Sequence, residues 1–360
     1  MTIPVISRMP MPTEESAAFF KHVCPPTFAG DNPDPVEPTV RIARDLVVDF
    51  ALALPEGDSV PMWIIEDPED ARLGRQFPSK LIRLREGDVV HAKVGAKKNT
   101  HTIHWHGIEP TPMNDGVGKH SFEVGASFVY QFCARQAGTY FYHCHKNTPL
   151  HFEMGLYGLL IVDPPEGQGV VTRLAPEQGH REHYDVEAFW VPDEIDRRWH
   201  ELGHEAFMQK CDEADPVRRD DFSHGGILND FRPDVFLVTG VPAARRDPKI
   251  VDPRVAVSAH AGQTILLRVL NAGYTVQRFT LDLDAEVIAM DGRPLGVPPY
   301  GVYSSPFTLP ARTPFQLTSA MRWELLLKPT VPGTYPAQVE YFHWVTGKRL
   351  ATVRTQIKVL

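Results

Sequence analysis

His143-Cys144-His145-Lys146-Asn147-Thr148-Pro149-Leu150-His151-Phe152-Glu153-Met154-Gly155 sets a lone cysteine between two histidines, with a third histidine seven residues past the cysteine. A thiolate and two imidazoles make the trigonal set that soft, redox-active copper favours, tuned by a weak axial group such as Met or by none. Upstream, His101-Thr102-Ile103-His104-Trp105-His106-Gly107 supplies the missing histidine and more imidazoles than one metal needs. The two clusters together imply a second copper site.

The 360 residues, 42% of them apolar, are enough for two domains with a core each. The 33 prolines and 26 glycines, with short apolar runs rich in Val, Ile, Phe and Tyr, favour strands joined by turns, so the expected class is all-β. A net charge of -8 without a basic block argues against nucleic acid as a partner and leaves small molecules or proteins. No stretch approaches the roughly 18 apolar residues of a membrane helix. Met1 to Phe20 has no basic segment followed by an apolar one. The expectation is a chain that is cytoplasmic as written, periplasmic or secreted if a leader was removed. With Cys144 committed to metal, Cys24, Cys133 and Cys211 stay unpaired or form at most one disulfide.

Residues 1–38 read as a proline-rich arm. Strand-like runs then cover Thr39 to Leu54, Met62 to Glu66, Lys80 to Val94, His101 to Ile108, Ser127 to Cys133, Gly138 to His143 and Leu156 to Val162. Asp163-Pro164-Pro165 closes the first domain, 39–165, since proline stops a strand. Residues 166–233 read as a connecting segment with an edge strand, Tyr184 to Val191, and one helix, Asp193 to Cys211, opened by acidic residues that suit a helix N-terminus. The second domain runs over 234–360. The halves repeat: Gly138-Thr-Tyr-Phe-Tyr-His143-Cys-His145 aligns without gaps to Gly333-Thr-Tyr-Pro-Ala-Gln338-Val-Glu340, and Glu86 to Val94 matches Ala261 to Val269.

On these residues, together with Asp115-Gly-Val-Gly118, Phe122-Glu-Val124 and Met154-Gly-Leu-Tyr-Gly158, the chain resembles the multicopper oxidase family, more narrowly its two-domain, laccase-like members, which also resemble copper nitrite reductases. The resemblance covers about residues 40–360. It implies two cupredoxin-like Greek-key β-sandwiches and a copper-dependent oxidoreductase that takes single electrons from a small-molecule donor and passes them to oxygen or a small oxidised molecule. It further implies a type 1 copper on His101, Cys144 and His151, with Leu156 at the axial position and Met154 as its competitor. His104, His106, His143 and His145 correspond to first-domain ligands of a type 2/type 3 cluster. A homotrimer with the catalytic copper between subunits is the carried-over assembly. Since successive side chains of a strand face opposite ways, Cys144 can bind one metal while His143 and His145 bind the other.

The second domain departs from this pattern. Gln338 and Glu340 stand where His143 and His145 would, and Gln277, Thr280 and Asp282 fit the His101, His104 and His106 positions if one residue of slip is allowed. Asp282 and Glu340 are then either second-domain metal ligands, though carboxylates are hard donors for Cu(I), or a polar remnant. A nitrite-reductase-like enzyme needs a third histidine from the second domain. A carrier with only the type 1 site working has no need of the histidine quartet. Asp115 is a candidate for proton delivery, or a turn residue of Asn114-Asp115-Gly116. His200 and His204, with His183, read either as an accessory metal site or as a solvated helix face. His120 and Glu123 border the copper pocket or pack its loop. Nothing in Arg197-Arg198 or Arg218-Arg219 selects a donor.

Overall fold

The computed structural model describes residues 27–28, 36–70, 75–117, 123–172, 182–203, 231–244, 251–297 and 304–360. Cys24, His120, His204, Cys211, Arg218 and Arg219, and most of the proline-rich arm, lie outside these. The described residues are almost entirely strand and turn.

The first sandwich packs two four-stranded sheets. One holds β1 (Val40–Ala53), β2 (Ser59–Glu66), β4 (Val89–Ala96) and β6 (Ser127–Cys133) in the order β2-β1-β4-β6. The other holds β3 (Ser79–Arg85), β5 (Ile103–His106), β7 (Gly138–Cys144) and β8 (Tyr157–Asp163) in the order β3-β8-β7-β5. Two short helices lie in its connections, α1 (Pro112–Asp115) and α2 (Thr148–Glu153). Strand alternation is plain in β6, where Phe128, Tyr130 and Phe132 turn into the core and their neighbours stay half-buried. In contrast β7 and β8 are buried along their whole length, because their second face is covered as well. The run read as one strand, Lys80 to Val94, is two strands, broken by a turn that Asp88 organises by accepting from the Arg85 N–H.

The second sandwich pairs β9 (Val186–Trp190), β10 (Ile265–Leu270), β13 (Arg322–Leu327) and β12 (Ala285–Met290) in one sheet against β15 (Arg349–Val359), β14 (Gly333–Phe342) and β11 (Val276–Leu281) in the other. β9 is an edge strand, parallel to β10. The expected helix over Asp193 to Cys211 is not what forms in its described part. Pro192–Ile195 is a strand antiparallel to Val235–Val238, and Trp199–Glu201 is a single 3-10 turn. The acidic residues that suggested a helix start are instead buried hydrogen-bond acceptors: Asp193 takes the Tyr157 hydroxyl at 2.6 Å, and Glu194 takes the backbone N–H groups of Tyr274 and Thr275.

Each sandwich has its own apolar core, and a third cluster joins Phe141, Tyr157 and Leu159 to Val191, Leu237 and Leu270 across the seam. Beside it runs a buried polar network. Arg268 donates to Glu324 and Glu187, both at 2.7 Å, and Thr139 and Thr172 of the first half donate to Glu324. Arg83 joins Glu187 to Asp163. Every charge in this network has a partner, which is what makes its burial tolerable.

Candidate metal centres

The first donor set comes from three segments. Cys144 ends β7, His151 sits in α2, and His101 is held just before β5 by a two-way backbone bridge to Val124. All three residues are fully buried, at 0% exposure. The Cys144 Sγ lies 3.3 Å from His101 Nδ1 and 3.4 Å from His151 Nδ1. Because His101 Nε2 donates to the Lys98 carbonyl at 2.7 Å, its Nδ1 lone pair is left facing the sulfur. Burial pushes the Cys144 thiol up to about 12, so a thiolate here calls for a bound cation. Of the two axial candidates, Leu156 lies in the same core cluster as Cys144, and its carbonyl accepts the Cys144 N–H at 3.0 Å. Met154 packs in another cluster, with Leu150, Trp199 and Phe231.

The second set faces the other way. In β5, Ile103 and Trp105 enter the core while His104 and His106 point out, and the antiparallel register puts His104 opposite His143. His104 Nδ1 donates to the Asp115 carbonyl at 3.0 Å and His143 Nδ1 to the Cys144 carbonyl at 2.9 Å, which makes Nε2 the unprotonated nitrogen of both rings. His106 Nδ1 is 3.4 Å from His143 Nε2. Ligand atoms of His104, His106 and His143 lie within 4.8 Å of one another, as do those of His101, Cys144 and His151. His145 keeps ring centroids 5.4 Å from His104 and 5.6 Å from His143, beside the trio rather than in it. Burial, then the Arg322 charge and the neighbouring imidazoles, hold His106 down at about 3. Burial likewise holds His143 and His145 below the usual value, so all three are neutral donors at pH 7.

A cavity of about 420 Å³ opens at His104 and His106, with Asp115 on one side and Asp291, Arg293 and Arg322 of the second sandwich on the other. No motif marks this arginine wall in the sequence. Its trace is Gly107, at φ +89, where a Cβ would stand 2.6 Å from Arg322 Nη2. Asp115 Oδ1 is buried 3.2 Å from His104 Nδ1, at an angle that makes no hydrogen bond. Glu123 borders the first set by accepting from Lys146 at 2.9 Å and from Thr100.

Other expected ligands are engaged elsewhere. Asp282 pairs with Arg312 at 2.6 Å, and Glu340 lies between Arg278 at 2.7 Å and Arg349 at 2.9 Å. His200 is buried, with Nδ1 donating to Pro61 at 2.6 Å and Nε2 3.5 Å from Glu153, while His183 bridges Val170. His183 and His200 join no cluster of metal donors among the described residues. Among the described residues, only the two histidine sets group as metal donors. Their chemistry fits copper: one thiolate with two imidazoles, and a trio of imidazoles.

The profile of the multicopper oxidase family matches residues 69–167. L-ascorbate oxidase of Cucumis sativus is 43% identical over 100 residues, which are 26% of this chain and 17% of the cucumber protein. Copper resistance protein A of Pseudomonas syringae pv. tomato is 42% identical over 94 residues, 25% of this chain and 15% of that protein. The matched stretch thus spans less than a fifth of these relatives. Among solved structures, the blue copper oxidase of Nitrosomonas europaea superposes with a TM-score of 0.61 at 21% identity, covering 89% of this chain and 85% of that one. The copper nitrite reductase of the same organism superposes with a TM-score of 0.60 at 16% identity, covering 89% and 94%. These likenesses show the fold, two cupredoxin-like sandwiches. Residues 69–167 belong to the multicopper oxidase family, and they contain every residue of both donor sets.

Proposed function

We propose that the chain is a copper-dependent oxidoreductase of laccase-like type, which takes electrons singly from a small-molecule donor at a type 1 site of His101, Cys144 and His151 and delivers them at the histidine site to oxygen or a small oxidised molecule. One observation carries this reading: Cys144 belongs to one donor set and its chain neighbour His143 to the other. Copper in both sets supplies one-electron redox chemistry at each. The protein's own part is to hold the thiol and imidazoles in place, with Lys98 and Asp115 carbonyls orienting His101 and His104. The buried first set excludes water, and the shared core of Leu156 and Cys144 supports an axial position without sulfur. His145 is the natural fourth imidazole of the second site, and proton delivery there is assigned to Asp115, whose Oδ1 is 3.2 Å from His104 Nδ1. For the assembly we propose a homotrimer, whose head-to-tail contact closes over the open histidine face.

A second reading, reduction of a small oxyanion such as nitrite, draws on the histidine trio from one domain and on Arg322 and Arg293 beside it. Copper titration with metal analysis and absorption spectroscopy tests the main reading. It predicts more than one copper ion per chain, an intense thiolate-to-copper band, and oxygen consumption with phenolic donors. A single copper without oxygen consumption overturns it, and turnover of nitrite in place of oxygen selects the second reading.

A further inference from the structure

His101, Cys144 and His151 are sealed from solvent, so a reductant cannot touch any of the three. Trp63, on β2 of the other sheet, lies against His151. Its indole meets the imidazole edge-on, with ring centroids 5.6 Å apart and planes at 76°. His151 Nδ1 is in turn 3.4 Å from the Cys144 sulfur, so indole, imidazole and thiol form one contiguous row.

Trp63 is held rigidly in this position. Its backbone N–H donates to the Met154 carbonyl at 2.7 Å, which ties β2 to the end of α2. The next residue, Gly155, has φ +106 and approaches so closely that a Cβ there would lie 2.8 Å from the Trp63 carbonyl. The turn after His151 and the strand carrying Trp63 therefore form one unit. Trp63 is also half-exposed. Trp63 packs against the first core beside Ile65 and against Leu150, Met154, Trp199 and Phe231, while Val60, Met62 and Ile64 turn to the seam, and part of the Trp63 surface stays open. Of the row of three side chains, Trp63 alone reaches solvent.

We propose that Trp63 is the electron-uptake residue of the first centre: reductants contact the indole, and each electron crosses the indole and the His151 ring to reach the Cys144 site. This rests on the oxidoreductase reading above and deepens it. In each event the donor loses one electron, the first centre gains it, and Trp63 is unchanged, with no bond made or broken. A phenolic donor releases its own proton to water. Outer-sphere reductants are the donor class this arrangement admits, because no donor can ligate or hydrogen-bond a buried histidine edge.

The test uses the full, copper-loaded chain, mixed without oxygen with ferrocyanide and, separately, with a methoxyphenol, while the blue band is followed. Trp63→Leu is expected to slow bleaching by both donors by roughly tenfold or more, while Trp63→Tyr keeps close to the parent rate. The position of the blue band, the potential of the centre and the rate of reoxidation by oxygen stay at parent values in both variants, which a merely structural role for Trp63 does not predict. Trp63→Met, whose flexible ring-free chain adapts to the site, carries the same expectation and serves where the leucine variant does not fold. Bleaching as fast as in the parent, or slowing with only one donor through a raised KM, overturns the assignment. A parent chain that never turns blue overturns the oxidoreductase reading and this one with it, whereas a blue parent with unaltered variants overturns this one alone.

Discussion

Thr280 and Gln338 face each other across an antiparallel pair in the second sandwich, as His104 and His143 do in the first. Counted from Gly333 and Gly138, the two registers coincide, so the slipped alignment that sets Thr280 and Asp282 against His104 and His106 is the one the backbone adopts. On these strands Thr280 and Gln338 stand where His104 and His143 do, and Asp282 and Glu340, both paired with arginine, where His106 and His145 do.

Those carboxylates are therefore expected to leave metal content untouched. Asp282→Ala should bind as much copper as the parent by metal analysis, because Asp282 is already held by Arg312. Loss of a copper ion in this variant contradicts the assignment.

Glu340 should instead matter for acid stability. Burial raises its pKa, but hydrogen bonds and charge from Arg349 and Arg278 outweigh this and hold the carboxyl below the ordinary 4.5. A carboxyl depressed on folding adds stability above its unfolded pKa and loses it as pH falls through the folded value. The gap in thermal midpoint between the parent and Glu340→Gln should be full above pH 4.5 and shrink below it. A gap constant across that range is the opposing result.

The seam between the sandwiches should be intolerant of half-removed ion pairs. Arg268→Met leaves Glu324 and part of Glu187 buried without their cation, a loss of about 3–5 kcal/mol by denaturant unfolding. Adding Glu324→Leu should recover part of that loss, since it removes the orphaned charge. A double variant less stable than Arg268→Met alone contradicts a cost from the orphaned Glu324 charge.

Gly155→Ala should cost about 1–3 kcal/mol through its positive φ alone, with the close Trp63 carbonyl adding to it. Because Leu156 N–H donates back to the His151 carbonyl across this turn, the blue band should shift as well. A stability loss with an unchanged spectrum separates the turn from the first centre.

The sequence motif made the first-domain donors legible because short-range spacing on one strand and its turn positions Cys144, His143 and His151 together. Long-range contacts were not legible. Trp63 reaches His151 from another sheet, and Arg322 reaches the histidine face from the other sandwich, with only Gly107 and Gly155 as local traces. The misread helix has the same origin. Asp193 and Glu194 look like a helix start until Tyr157, Tyr274 and Thr275, distant in sequence, are seen to use them.

The central claim is that the thiol centre and the histidine centre communicate through adjacent residues of β7. Its most direct test is rapid mixing of the reduced, copper-loaded chain with oxygen, following the return of the blue band in the parent and in His143→Ala. The account predicts rapid return in the parent and, in the variant, a first centre that still colours with oxidant but is reoxidised by oxygen roughly a hundredfold more slowly or not at all. Equal rates in the two proteins contradict it.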